Sequence, residues 1–170
     1  MRRCLMGLIA TPATLAALLA PPASAVQAPV GHIGDTLRVN DTDSNFIADV
    51  TVVDMEPSDV PPAFGYGPRW PHQRIYRASV VVRPVQVPNP YYLATVMSFD
   101  GVTLTGDAYV PRNTDAPDAL QYSLLNAPQG ATVAGDVFWD CYRDLPNSVV
   151  LIDRKTNFRV AQWDITQDLP

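Results

Sequence analysis

Residues 135–143, which read Gly-Asp-Val-Phe-Trp-Asp-Cys-Tyr-Arg, decide the fold class of this chain. Side chains alternate between the two faces of a β-strand, so Val137, Trp139 and Cys141 are expected to share one apolar face. The opposite face is expected to carry Asp136, Phe138, Asp140 and Tyr142. Because partly buried carboxylates need water or cationic partners, the stretch predicts a half-buried strand in the middle of an all-β domain.

The rest of the chain repeats this pattern in short segments that are separated by turn signals. Further strands are predicted at residues 36–39, 46–53, 74–82, 91–99, 102–109, 149–152 and 158–165. Asp100-Gly101 is predicted to form a two-residue hairpin turn, residues 145–148 are predicted to form another turn, and Pro84 indicates an edge strand or a strand that switches sheets. Residues 119–125 fit either a strand or one helical turn. About eight or nine short strands without a long helix are typical of a sandwich or barrel, and we predict a two-sheet antiparallel β-sandwich.

The N-terminal segment has the form of a secretory signal. An arginine pair precedes an apolar stretch, and Ala-Ser-Ala at residues 23–25 has the small-x-small form of a cleavage site. The sequence therefore predicts a cleaved signal peptide at 1–25, a loose arm at 26–34 and a single domain at 35–170. The mature protein is expected to be secreted, either extracellular or in the cell envelope, and to have no membrane span.

The charge of the mature chain argues against some classes of partner. Without the signal, ten basic and seventeen acidic residues remain, which gives a formal charge of −7. Binding of nucleic acid or an anionic membrane through a general basic surface is therefore not expected. The chain length suits one domain with a real hydrophobic core, and we predict a monomer.

Cysteine and histidine spacing predicts no metal site and no cofactor. Cys141 is unpaired once the signal is removed, and we interpret it as a small buried apolar residue; the alternative is a reactive thiol or a covalent dimer. Zinc sites need clustered ligands, whereas His32, His72 and Cys141 are widely spaced. Residues 41–45 match the first ligand positions of a helix-loop-helix calcium site but lack its glycine and closing glutamate, so a hairpin turn is predicted there.

The sequence contains no recognisable catalytic motif. It has no G-x-S-x-G nucleophile elbow, no phosphate-binding loop and no dinucleotide fingerprint. We therefore predict that the protein is not an enzyme. The alternative is a secreted hydrolase that acts on envelope or host material with His72 as its general base.

Residues 57–71 interrupt the β pattern with five prolines and two glycines. Loops of this length in compact domains are usually functional or mobile. Aromatic residues held by such a loop offer a contact surface of low conformational entropy, and arginine is another frequent interface residue. The candidate partner-binding residues are Phe64, Tyr66, Arg69 and Trp70. The alternative is that the aromatic rings fold back and cover one end of the sandwich.

Three short stretches carry a resemblance to a known family. They are Pro-Gln-Gly at residues 128–130, Gly-Asp-Val-Phe-Trp-Asp at 135–140 and Val-Ala-Gln-Trp-Asp at 160–164. Together they resemble the mycobacterial secreted immunogenic antigen family, small immunoprotective extracellular proteins with an immunoglobulin-like β-sandwich. The long loop at 57–71 and Cys141 depart from the family pattern.

The resemblance implies a secreted, immunoglobulin-like antiparallel sandwich without enzyme activity or cofactor, and it carries over no functional residues. By analogy of fold it also implies contact with host or envelope components. The function predicted from the sequence is therefore that of an exported, non-catalytic binding protein whose partner, an unknown protein or envelope component, the sequence does not identify.

Overall fold

Residues 27–41, 46–59, 74–86, 91–112, 115–128 and 130–165 are described in a computed structural model of the chain. These residues form nine strands and two short helices. The strands are β1 (Val30–His32), β2 (Thr36–Asp41), β3 (Phe46–Pro57), β4 (Arg74–Gln86), β5 (Met97–Thr103), β6 (Ala108–Tyr109), β7 (Val133–Cys141), β8 (Pro146–Asp153) and β9 (Arg159–Asp164). The helices are α1 (Tyr91–Val96) and α2 (Leu120–Asn126). Neither helix has the length and hydropathy that a membrane-spanning segment needs, as far as the described part of the chain goes.

The strands form two sheets that enclose one main core. The five-stranded sheet has the order β1-β9-β8-β5-β6, and the four-stranded sheet has the order β2-β3-β4-β7. Neighbouring strands run antiparallel, with the exception of the parallel pair β1 and β9. The predicted fold class, an all-β sandwich of two sheets, is confirmed.

Two buried tryptophans join the layers of the sandwich. Trp139 of β7 donates its indole N–H to the backbone oxygen of Phe99 on β5, in the opposite sheet, at 2.8 Å. Trp163 of β9 donates to the backbone oxygen of Asp35, just before β2, at 3.0 Å. A buried indole N–H without an acceptor is costly, so these two bonds fix the sheets relative to each other as well as filling the core.

Strand β7 has the inner face that the sequence predicts. Val137, Trp139 and Cys141 are all buried in the main core. The predicted position in the middle of the domain is wrong, because β7 lies at an edge of the four-stranded sheet. Its outer edge is nevertheless occupied, since the backbone N–H of Asp136 donates to the oxygen of Asp118 at 2.8 Å. Such coverage protects an edge strand from pairing with other chains.

The prediction for residues 91–101 is also wrong. Residues 91–96 form helix α1 instead of a strand, and Asp100-Gly101 lies inside β5 instead of forming a hairpin turn. Gly101 is explained by close packing, because a Cβ atom at this position would lie only 3.1 Å from the Trp139 ring. The chain reverses five residues later, around Gly106, whose φ of 87° favours glycine.

Several smaller expectations also differ from the structure. The arm expected at 26–34 contains β1, and the turn expected at 145–148 contains the start of β8. Of the two alternatives for residues 119–125, the helix is the one found. Strand β4 is central, not an edge, and it tolerates Pro84 because pairing with β7 ends at Val82, so only β3 is paired beside the proline.

Candidate functional site

The partner-binding residues predicted from the sequence all fall in residues 60–73, as does His72, and this segment lies outside the described residues. The signal peptide and the calcium-like turn at 42–45 lie outside them too. The residues that flank 60–73 are described, however. Arg74 pairs with Cys141 at the end of β7, and the backbone N–H of Ser58 donates to the oxygen of Ile75 at 2.9 Å. The described residues on either side therefore lie at the same end of the four-stranded sheet, where β3 finishes, β4 starts and β7 finishes.

That end of the sandwich carries a set of exposed apolar side chains, which we call the end surface. It consists of Leu104 (75% exposed), Val110 (64%), Tyr142 (53%) and Leu145 (45%). They come from the β5–β6 and β7–β8 connections and from the residue after β6. The two connections are neighbours because Thr103 pairs with Pro146.

The backbone under the end surface is held by Tyr109. Its hydroxyl donates to the backbone oxygen of Asp144 at 2.8 Å and accepts the backbone N–H of Arg143 at 3.3 Å. Its ring meets the Tyr142 ring edge-to-face, with the centroids 5.4 Å apart. Burial raises the pKa of the Tyr109 hydroxyl above its usual value, so it stays a protonated donor at neutral pH.

The β5–β6 connection is similarly fixed by hydrogen bonds. The backbone N–H of Thr103 donates to the oxygen of Asp107 at 2.9 Å, and the Asp107 N–H donates to the Thr103 hydroxyl at 3.0 Å. Arg143 spans the two connections, with its guanidinium 3.7 Å from the Asp107 carboxylate and 5.8 Å from the centre of the Tyr142 ring. The end surface is thus a set of exposed side chains on an ordered backbone.

The outer face of β7 carries buried charge that the sequence correctly predicts to need cationic partners. Asp136 accepts from the Arg77 guanidinium at 2.6 Å and from the Ser79 hydroxyl at 2.7 Å, and Arg77 also pairs with Glu56. Hydrogen bonds to these carboxylates, Asp136 first, raise the pKa of Arg77. These contacts stabilise the sheet but leave no charged group of the set exposed and unpaired for chemistry.

The second aspartate of this face has a different environment. Asp140 pairs with Arg112, while its Oδ1 is buried and has no hydrogen-bond partner among the described residues. Phe138, which lies between the two aspartates, is covered by Ala116 and Ala119 from the segment before α2. The face predicted to meet solvent is therefore largely buried under residues 116–119.

A small cavity opens on the side of the sandwich between β5 and β7. Its volume is about 60 Å³, and helices α1 and α2 border it. The lining is mostly buried and apolar, with Arg112 and Arg154 among the polar members.

Cys141 behaves as the interpretation from the sequence expects. It is a buried, unpaired cysteine in the main core. Burial, assisted by the nearby Asp140 carboxylate, raises the pKa of its thiol to about 12. The thiolate is the reactive form, so this thiol is chemically inert in the folded protein.

No metal or catalytic centre is apparent in the described residues. No group of three or more His, Cys, Asp and Glu side chains there could hold a metal ion. His32 lies on β1, where its imidazole Nδ1 is 3.8 Å from the Asp35 carboxylate and both side chains are exposed.

Comparison with known proteins fits the geometry described above. Residues 28–160 match the model of a family described as a domain of unknown function, DUF1942. The chain belongs to this family. No curated protein has a matching sequence.

The fold of this DUF1942 member is similar to that of MPT63, a secreted protein from Mycobacterium tuberculosis whose crystal structure is known at 1.5 Å. The two chains are 20% identical, the match covers 82% of this chain and 99% of MPT63, and the TM-score is 0.64. The likeness to MPT63 supports the sandwich fold and confirms the family resemblance seen in the sequence.

Sequence reasoning did not find the end surface. Leu104 lies in a predicted strand and Leu145 in a predicted turn. A single apolar residue in either context does not indicate a binding surface. Tyr142 lies on the outer face of the predicted strand. This position is the one feature of the sequence that indicates an exposed aromatic residue here.

Proposed function

We propose that this DUF1942 member is an exported, non-catalytic protein that binds another protein or an envelope component through the end surface. The observation that carries the proposal is that Leu104, Tyr142 and Leu145, each at least 45% exposed, lie on two adjoining connections, with the exposed Val110 directly after β6. Single exposed apolar residues are ordinary, but a group of large ones on adjoining turns marks an interaction site.

The chemistry of the end surface is that of a protein contact. Tyrosine and arginine are over-represented among residues that dominate binding energy, and Tyr142 and Arg143 lie side by side here. Because Tyr109 and the Thr103 turn already hold the backbone, little conformational entropy is lost when a partner binds.

Phe64, Tyr66, Arg69 and Trp70 are proposed to extend the same surface. The support is positional, since Arg74, which follows this segment, pairs with Cys141, one residue before Tyr142. An aromatic set placed beside Tyr142 would make a continuous contact area, in the way that loops at one end serve other β-sandwiches.

Export is part of the proposal. The support is the signal-like sequence at residues 1–25 together with the similarity to MPT63, which is a secreted protein. The mature protein would then meet its partner outside the cytoplasm, either in the envelope or beyond it.

The proposal is tested by capturing partners with matched variants of the protein. The end-surface variant Leu104→Asp with Leu145→Asp is compared with Phe158→Asp, since Phe158 is 72% exposed but lies after β8, at the opposite end. We expect envelope or culture-fluid proteins that bind wild type to be lost with the double variant and kept with Phe158→Asp. Equal capture by all three proteins would refute the end surface.

A further inference from the structure

The cavity between β5 and β7 is a candidate ligand site that is separate from the end surface. It lies where α1 packs against α2, on the side of the sandwich between the two sheets. Its floor is made of buried core side chains, namely Leu93, Met97, Phe99, Leu120, Leu124 and Val137. A floor of this kind gains free energy by contact with an alkyl group and none by contact with water.

The size of the cavity sets what can enter. About 60 Å³ is open to the centres of water-sized groups, several times the roughly 10–15 Å³ that one water needs in this measure. An alkyl segment of about two or three carbon atoms therefore fits.

The rim adds positive charge to this apolar floor. Arg112 lines the cavity and is held in place by its ion pair with Asp140. Arg154 lines it from the other side, and its backbone N–H donates to the oxygen of Val96 at 2.8 Å, which anchors it at the end of α1. Within the described residues Arg154 has no carboxylate partner within 4.0 Å.

The acidic groups near the cavity do not cancel this charge. Asp136 lines the cavity but is already hydrogen-bonded by Arg77 and Ser79. Asp100 is the carboxylate whose charge interacts with Arg154, and it is itself buried and hydrogen-bonded by Ser98. An anion at the mouth would therefore meet the Arg154 guanidinium before it meets an unpartnered carboxylate.

From this combination we infer that the cavity binds a short-chain aliphatic carboxylate of about three to four carbon atoms. The alkyl end lies on the floor formed by Leu93, Leu120 and Leu124, and the carboxylate accepts hydrogen bonds from Arg154 at the mouth. Guanidinium and carboxylate match in geometry, and their bonds are charge-assisted, which favours an acid over a neutral molecule of the same shape.

The inference is tested by titrating the purified protein with butyrate, and separately with butan-1-ol, while NMR signals of the cavity residues are followed. Butyrate is expected to shift the methyl signals of Leu93, Leu120 and Leu124 with half-saturation on the order of millimolar, as suits so small a ligand. Butan-1-ol has the same alkyl chain without the charge and is expected to bind about tenfold more weakly.

Two variants locate the site. Arg154→Gln should weaken butyrate binding about tenfold, whereas Lys155→Gln, which removes the same charge one residue away and outside the cavity lining, should leave it unchanged within about twofold. Ala94→Phe, which adds a ring at the mouth, should abolish binding.

Three results would overturn the inference. One is a shift that never saturates with butyrate. Another is equal weakening of butyrate binding by Arg154→Gln and Lys155→Gln, which would show that the effect comes from the overall charge of the protein and not from a contact with Arg154. The third is equal binding of butan-1-ol and butyrate, which would leave an apolar cavity with no anion site. None of these results bears on the end surface, so the two proposals fail independently.

Discussion

Trp139 and Tyr142 are three residues apart in the chain and illustrate two regions with opposite roles. Trp139 is 0% exposed, and its N–H reaches across to the other sheet, while Tyr142 follows the end of β7 and leaves half of its surface in solvent. The core around Trp139 uses apolar side chains to hold the sheets together. The apolar side chains of the end surface around Tyr142 lie outside the core. The backbone that carries them is held in place by residues of the core.

The difference teaches that exposure at the end surface is not a consequence of loose structure. The Tyr109 ring is buried in the core cluster. Its hydroxyl accepts the backbone N–H of Arg143 and donates to the backbone oxygen of Asp144. The same residue thus belongs to the core and supports the exposed turn. If the comparison is right, substitutions should affect stability in one region and binding in the other.

The largest expected effect on stability is in the core. Trp139→Ala removes a fully buried ring and leaves the Phe99 carbonyl without its donor, so the free energy of unfolding should fall by about 3–5 kcal/mol. Urea unfolding followed by circular dichroism measures it. A loss below about 1 kcal/mol would mean that this indole does not hold the sheets together.

A smaller loss is expected where the segment before α2 crosses β7. A Cβ atom at Gly135 would lie 2.6 Å from the Leu120 Cα and 2.9 Å from the Asp118 oxygen, both backbone atoms that cannot move aside alone. Gly135→Ala should therefore cost about 1–3 kcal/mol in the free energy of unfolding. Ala134→Ser, at an exposed position of the same strand, is the control and should change it by less than about 0.5 kcal/mol.

The pH dependence of stability should differ between a buried aspartate and an ion-paired one. Burial raises the pKa of Asp100 above its ordinary value, so the native state holds this proton more tightly than the unfolded chain does. Stability should then fall as the pH rises from the unfolded pKa through the raised one. Asp100→Asn keeps an acceptor for Ser98 and should stabilise the protein at neutral pH, with the gain vanishing in acid.

Asp49 is the matched comparison, because its pKa is shifted in the opposite direction to that of Asp100. The hydrogen bond from Arg38 lowers the pKa of Asp49, so its contribution to stability is present above the unfolded pKa and is lost as the pH falls through the lowered one. Asp49→Asn should be destabilising at neutral pH and neutral in strong acid. Parallel pH curves for the two variants would contradict the assignment of one carboxylate shifted by burial and one shifted by its arginine partner.

The smallest effect on stability is expected at the end surface itself. Tyr142→Ser should change the free energy of unfolding by no more than about 0.5 kcal/mol, because its ring is half in solvent and meets only the Tyr109 ring and the partly exposed Arg143 guanidinium. Thermal unfolding measures this directly. A loss like that of Trp139→Ala would show that Tyr142 belongs to the core and would remove the contrast between the regions.

The sequence predicts the inner face of β7 because an alternation of period two is local information. Val137, Trp139 and Cys141 needed no knowledge of the rest of the chain to be placed inside. The partners of the outer aspartates could not be predicted in the same way. Arg77 is 59 residues from Asp136 and Arg112 is 28 residues from Asp140, so only the pairing of strands brings them together.

The failures of prediction have physical causes as well. Asp100-Gly101 has the composition of a hairpin turn, yet glycine is required there for the approach of the Trp139 ring. Helix α1 is only six residues long, too short for a periodic pattern to be separated from a strand. The end surface depends on turns that meet through Thr103 and Pro146, and one sequence does not reveal such a meeting.

The most direct test of the central claim places a photo-crosslinking amino acid at position 142 in the exporting cell, and at position 158 in a parallel experiment. Both positions are exposed, but only position 142 lies in the end surface. The account predicts a discrete covalent adduct with another macromolecule from position 142 and none from position 158. No adduct from either position, or the same adducts from both, would contradict a binding role for the end surface.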